Sequence, residues 1–117
     1  MFLNLEHTKL NIFKETQDLA VECYQITKNL PGDEKFALVQ QLRRAAVSAH
    51  LNMAEGCSRR SEAERKRYLE ICRGSVVEVD AAVGIAHKLS YCKIEEIEKF
   101  GILIVSCFKQ LSAMIKH

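Results

Sequence analysis

Between Arg43 and Arg73 the sequence sets eight basic side chains (Arg43, Arg44, Arg59, Arg60, Arg65, Lys66, Arg67 and Arg73) against four acidic ones (Glu55, Glu62, Glu64 and Glu70). The formal net charge of the whole chain is only +2, so this middle segment is its basic part. Arginine dominates the set, and its planar guanidinium fork can hold two phosphate oxygens at once. Six of these residues, from Arg59 to Arg73, crowd a loop and the start of a predicted helix, where free amides and the helix dipole add attraction for anions. The chemistry this pattern offers is phosphate binding. The competing reading is a solvated surface with local pairs such as Glu62 with Lys66, spaced i to i+4. Six phosphate contacts would make affinity for duplex DNA fall with salt at a log–log slope of about −5. Most phenylalanines fall on apolar stripes and no aromatic platform is expected among the arginines, so recognition would rest on shape and charge.

A second candidate surface is the polar stripe Gln41, Arg44, Ser48, Asn52 and Glu55, which lies beside the small residues Ala45, Ala46 and Ala49. It reads either as a subunit interface or pore lining, with Arg44 and Glu55 pairing to neighbours, or as plain solvent exposure. An isolated bundle has no need of both a small-residue face and a polar stripe on one helix, which favours assembly.

Other chemistries find little support. His7, His50, His87 and His117 are scattered, without a His-Glu-x-x-His motif or a Glu-x-x-His pair. There is no phosphate-cradling glycine loop and no nucleophile elbow. No catalytic residue, metal site, cofactor or small-molecule substrate is therefore expected. The five cysteines, Cys23, Cys57, Cys72, Cys92 and Cys107, are odd in number and never spaced Cys-x-x-Cys, which argues for reduced thiols. Cys23 and Cys72 fall on apolar stripes, where a thiol packs as a small hydrophobe.

The elements that must position these residues are helices. One proline and five glycines leave few breaks, and the alternation of a half-buried strand is missing. The first helix is predicted over residues 9–29, with Phe13, Ala20, Cys23, Thr27 and Leu30 on its inner side, ended by Leu30-Pro31-Gly32-Asp33. Asp33 is the expected N-cap of a second helix reaching about Gly56, with Leu38, Leu42, Ala45, Ala49 and Met53 facing the core. Ser61 and Glu64 have the spacing of a capping box and open a third helix running to about Leu89 on Leu69, Cys72, Val76, Val79, Val83 and Ala86. Gly74 and Gly84 inside it should be compensated by close packing against a neighbour. The fourth helix carries Ile97, Gly101, Ile104, Phe108, Leu111 and Ile115. Short connections make consecutive helices antiparallel, so the expected fold is all-α, one domain over residues 1–117, an up-down-up-down four-helix bundle. With no run of about 18 apolar residues and no secretory signal at the start, a soluble cytoplasmic protein without membrane contact is expected.

Residues Gln41 to Ser48, Asn52-Met53-Ala54-Glu55-Gly56, Arg59-Arg60-Ser61, Tyr68-Leu69 and Arg73-Gly74-Ser75 resemble the small bacterial four helix bundle protein family, also called 23S ribosomal RNA intervening sequence proteins. Leu10 to Phe13 and Ala20 to Tyr24 look like that family's first helix, where a tryptophan is usual at the position of Phe13. His50 stands where the family commonly has proline, so an inherited kink in the second helix is in question. The resemblance implies a bundle that assembles into a homopentamer, as do related accessory proteins of diversity-generating retroelements, which bind nucleic acid with a basic surface. The leading expectation is a nonenzymatic, oligomeric protein binding RNA or DNA through Arg43, Arg44 and the Arg59 to Arg73 segment. The alternative is a structural module that engages a protein partner through a helical face.

Overall fold

The computed structural model describes residues 1–116. Four helices, α1 (Asn11–Thr27), α2 (Leu38–Ser58), α3 (Glu62–Lys88) and α4 (Ile94–Lys116), are joined by short connections, with 3-10 turns at Glu6–Lys9 and Gly32–Glu34. Each helix packs on its predecessor and α4 returns to α1, while the diagonal pairs α1–α3 and α2–α4 make no backbone-level contact among the described residues. That pattern is an antiparallel up-down-up-down four-helix bundle.

The core lies between the four inner faces, where Leu19, Leu42, Met53, Val79, Phe100 and Leu111 are fully buried. The stripe expected on α3 is buried at every position named for it. On α1 Cys23 and Thr27 are buried as expected, while earlier in the helix the buried positions are Ile12, Thr16 and Leu19, with Phe13, Ala20 and Leu30 half-buried at the margin. Two threonines, Thr16 and Thr27, belong to this buried side. Each donates its hydroxyl to the carbonyl four residues back, Thr16 to Ile12 at 2.9 Å and Thr27 to Cys23 at 2.7 Å, which satisfies a polar group inside the core.

The ends of the helices show where local signals decide. Ser61 caps α3 by accepting the Glu64 amide at 3.2 Å. Asp33 does not cap α2: it sits in the 3-10 turn at Gly32–Glu34, and α2 starts four residues after that turn behind Ala37, without a side-chain cap. Glu34 is instead tied across the bundle end by the Tyr91 hydroxyl at 2.8 Å. At the close of α3, Ser90 takes a positive φ of 64°, the Ser90 amide bonds to the His87 carbonyl and the Tyr91 amide to that of Ala86, so the chain turns sharply into α4.

Gly56 is not a break. α2 runs through it to Ser58, and an added Cβ there would lie 2.9 Å from Tyr68 Cβ and 3.3 Å from the Arg65 carbonyl, so its lack of a side chain lets α3 approach. Gly74 and Gly84, expected at close contacts, are exposed, and nothing lies within 4 Å of a Cβ added to either. α2 also continues unbroken through His50, because histidine keeps the amide that proline lacks. The His50 ring packs edge-on against Phe13, with centroids 4.7 Å apart, and Nδ1 lies 2.9 Å from the Thr16 hydroxyl.

Candidate nucleic-acid interface

The α2–α3 connection, residues 59–61, carries Arg59 and Arg60 at one end of the bundle, and the first turns of α3 add Arg65, Lys66 and Arg67. Arg65 is the internal brace of this loop: one guanidinium nitrogen donates to the carbonyls of Arg59 at 3.0 Å and Arg60 at 2.8 Å. Arg59 is held as well, by an ion pair with Glu55 and by the Tyr68 hydroxyl at 3.3 Å, with its guanidinium 5.0 Å above the Tyr68 ring. The Glu55 hydrogen bond and charge push the Arg59 pKa above its usual value.

Arg60, Lys66 and Arg67 are exposed and have no carboxylate partner among the described residues. The Glu62–Lys66 pair that the spacing suggested is not formed there; both side chains instead border the same cleft beside α4. Two braced arginines therefore fix the loop that carries Arg60, and Lys66 and Arg67 stand just beyond it on α3, all three without an ion-pair partner among the described residues.

The other three basic residues lie elsewhere. Arg73 is two turns further along α3, where it donates to Ser112 at 3.2 Å and lies 5.8 Å over the Phe108 ring of α4. Arg43 faces α1, donating to Thr27 at 2.8 Å with its guanidinium 4.5 Å over the Tyr24 ring. Arg44 is exposed on α2, fourteen residues and roughly 21 Å of helix axis before Ser58. The eight residues do not share one rim: five gather at the loop end and three are distributed along the rods.

The aromatic side chains depart from the sequence reading. Arg43, Arg59 and Arg73 each cover an aromatic face, and among the phenylalanines only Phe100 is fully buried, with Phe2 89% and Phe36 81% exposed. Linear sequence spacing hid these pairs: Tyr24 is on α1 and Phe108 on α4, each meeting its arginine only across a helix interface.

The polar stripe of α2 is divided. Ser48 meets the buried Ser75 of α3 at 3.0 Å, and the Asn52 amide donates to the Ser48 carbonyl at 2.9 Å and hydroxyl at 3.0 Å. Gln41, Arg44 and Glu55 remain exposed. Ala45, Ala46 and Ala49 are buried inside the bundle, so the small-residue face that argued for another subunit is already used within the chain.

Cys23, Cys72 and Cys107 are fully buried free thiols whose pKa burial pushes up to about 12; Cys57 is only half-buried, and burial raises it too. Among the described residues no three His, Cys, Asp or Glu side chains converge in a way that could hold a metal ion. His117 lies outside the described residues. No described helix is long and apolar enough to cross a membrane.

Comparison with known proteins adds a family and a fold. The 23S rRNA-intervening sequence protein family matches residues 8–114. A crystal structure of a protein of unknown function from the S23 ribosomal protein family of Bacteroides thetaiotaomicron is similar over 91% of this chain and 99% of its own, with a TM-score of 0.83 and 21% identity. No curated protein matches the chain.

Proposed function

The chain belongs to the 23S rRNA-intervening sequence protein family, and on that footing we propose that it is a nonenzymatic, RNA-associated accessory protein that holds phosphates at the α2–α3 end of its bundle. One observation carries the reading: Arg60, on a loop that Arg59 and Arg65 brace, and Lys66 and Arg67, in the first two turns of α3, stand close together without a carboxylate partner among the described residues. A loop already braced loses little backbone freedom on binding a polyanion, so more of the attraction appears as affinity. Arg59, Arg65, Arg43 and Arg73 act through position, each holding a loop or a helix seam. Arg44 is exposed but remote from this end.

The test replaces Arg60, Lys66 and Arg67 with glutamine. Filter binding to structured RNA should weaken, and the log–log salt slope should lose about 2 to 3. Circular dichroism should stay that of a folded bundle. An unchanged slope in a folded triple variant overturns the proposal.

Assembly is the second part of the reading. The outer face of α2 leaves Leu51 60% exposed beside the charged pair of positions Arg44 and Glu55, and Phe36 stands 81% exposed just before the helix. These groups suit a homo-oligomeric contact, the pentamer that the family resemblance implies. Sedimentation should give a species larger than one chain, and a strict monomer at high concentration overturns this part.

A further inference from the structure

At the same end of the bundle, a cleft of about 700 Å³ opens between the first turns of α3 and the last turn of α4. Its floor is apolar: Leu69 and Ile115 are nearly buried, and Met114 is half-buried beside them. Its rim is cationic, with Lys66 on α3, Lys116 on α4 and Arg65 behind, against one carboxylate among the described residues, Glu62. Neither lysine has an ion-pair partner among the described residues.

An apolar floor under a ring of positive charge fits a flat, weakly polar body carrying phosphates on either side. That is the chemistry of a nucleotide with its base out of the stack. The volume lies well within the range of small-ligand clefts, roughly 300 to 1,000 Å³. A base can rest on Leu69, Ile115 and the polarizable thioether of Met114. The facing lysines take the phosphates before and after it, and the Glu62 carboxylate can accept from an exocyclic amine or a ribose hydroxyl. A duplex cannot fill the cleft, because its bases are stacked and paired.

We infer that this cleft receives one unpaired base of single-stranded nucleic acid, so that the protein selects unpaired strands or ends over blunt duplex. The inference rests on the phosphate-holding reading and adds the class of ligand. Charge alone favours duplex, whose phosphates are denser, so a single-strand preference reports the base and not the backbone.

The experiment compares the anisotropy of a labelled single-stranded RNA with that of a blunt RNA duplex of the same length, for the full chain and for Met114→Gln. That substitution keeps length and charge and makes one of the three apolar floor residues polar. The native chain should bind the single strand about tenfold more tightly than the duplex. Met114→Gln, with unchanged circular dichroism, should bring that ratio close to one and leave duplex affinity as it was. Equal binding of both RNAs by the native chain overturns the inference while leaving phosphate binding intact. A preference that survives Met114→Gln also overturns it, since the base is then held elsewhere. Failure to bind either RNA overturns the phosphate-holding reading itself, and this inference falls with it.

Discussion

Replacing Gly56 with alanine should destabilise the bundle, although alanine is the better helix former. Intrinsic propensity favours the substitution by about 1 kcal/mol. The new Cβ, however, would lie 2.9 Å from Tyr68 Cβ and 3.3 Å from the Arg65 carbonyl. Carbon atoms prefer roughly 3.5 to 4.0 Å, and neither opposing atom can rotate away, so α2 and α3 must part by about half an ångström or more. Overpacking of this kind costs about 1 to 3 kcal/mol, which outweighs the propensity gain except at its lower limit and leaves a net loss of about 1 kcal/mol. Gly74→Ala is the internal control. No atom lies within 4 Å of its added Cβ, so the same change there should stabilise by about 0.5 to 1 kcal/mol. Unfolding entropy for a chain of this size is about 0.25 kcal/mol per kelvin, so the midpoints should move by about 4 °C down and about 2 to 4 °C up. Thermal melts followed by helical circular dichroism read both. Shifts of the same sign at the two positions would refute the argument from close approach.

Three further outcomes follow from the same contacts. Arg65→Ala removes two bonds from a charged donor to the Arg59 and Arg60 carbonyls, and urea unfolding should show a loss of about 1 to 2 kcal/mol; no loss would mean that the loop does not need its brace. Burial raises the Cys23, Cys72 and Cys107 thiols from 9.0 to about 12, so above 9.0 the unfolded chain ionises first and stability should fall as the pH rises toward about 12. A urea midpoint that stays flat as the pH rises from about 8 to about 10.5 would contradict this. Burial first, and the N-terminal ammonium second, lower the His50 pKa below 6.5, so the unfolded chain takes up that proton more readily and stability should fall as pH drops through that value; His50→Gln should flatten this acid limb of the urea midpoint, and an unaltered limb would assign it to other groups.

Helix number, order and direction were legible because they depend on local signals: the 3.6-residue period, Ser61 three residues before Glu64, and the Pro31-Gly32 turn. The candidate site was legible only in part. Sequence located the cations but not their states, since an i to i+4 spacing fits Glu55 with Arg59 as well as Glu62 with Lys66, and only the first pair forms. Whether a pair closes depends on rotamers and on competing partners, here the Tyr68 hydroxyl and ring beside Arg59. Arginines over Tyr24 and Phe108 were hidden because their partners are remote in sequence. Gly56 is ambiguous for a similar reason: glycine as a residue type signals a break, and only the neighbouring helix shows that this one marks a contact.

Amide chemical-shift mapping during titration with single-stranded RNA tests the central claim most directly. Perturbations should concentrate on residues 58–67 and the last turn of α4, shrink as salt is raised, and spare the opposite end around Asp33, Glu34 and Lys93. Shifts confined to that opposite end, or none at RNA concentrations that saturate salt-sensitive binders, would contradict a phosphate grip at the α2–α3 loop.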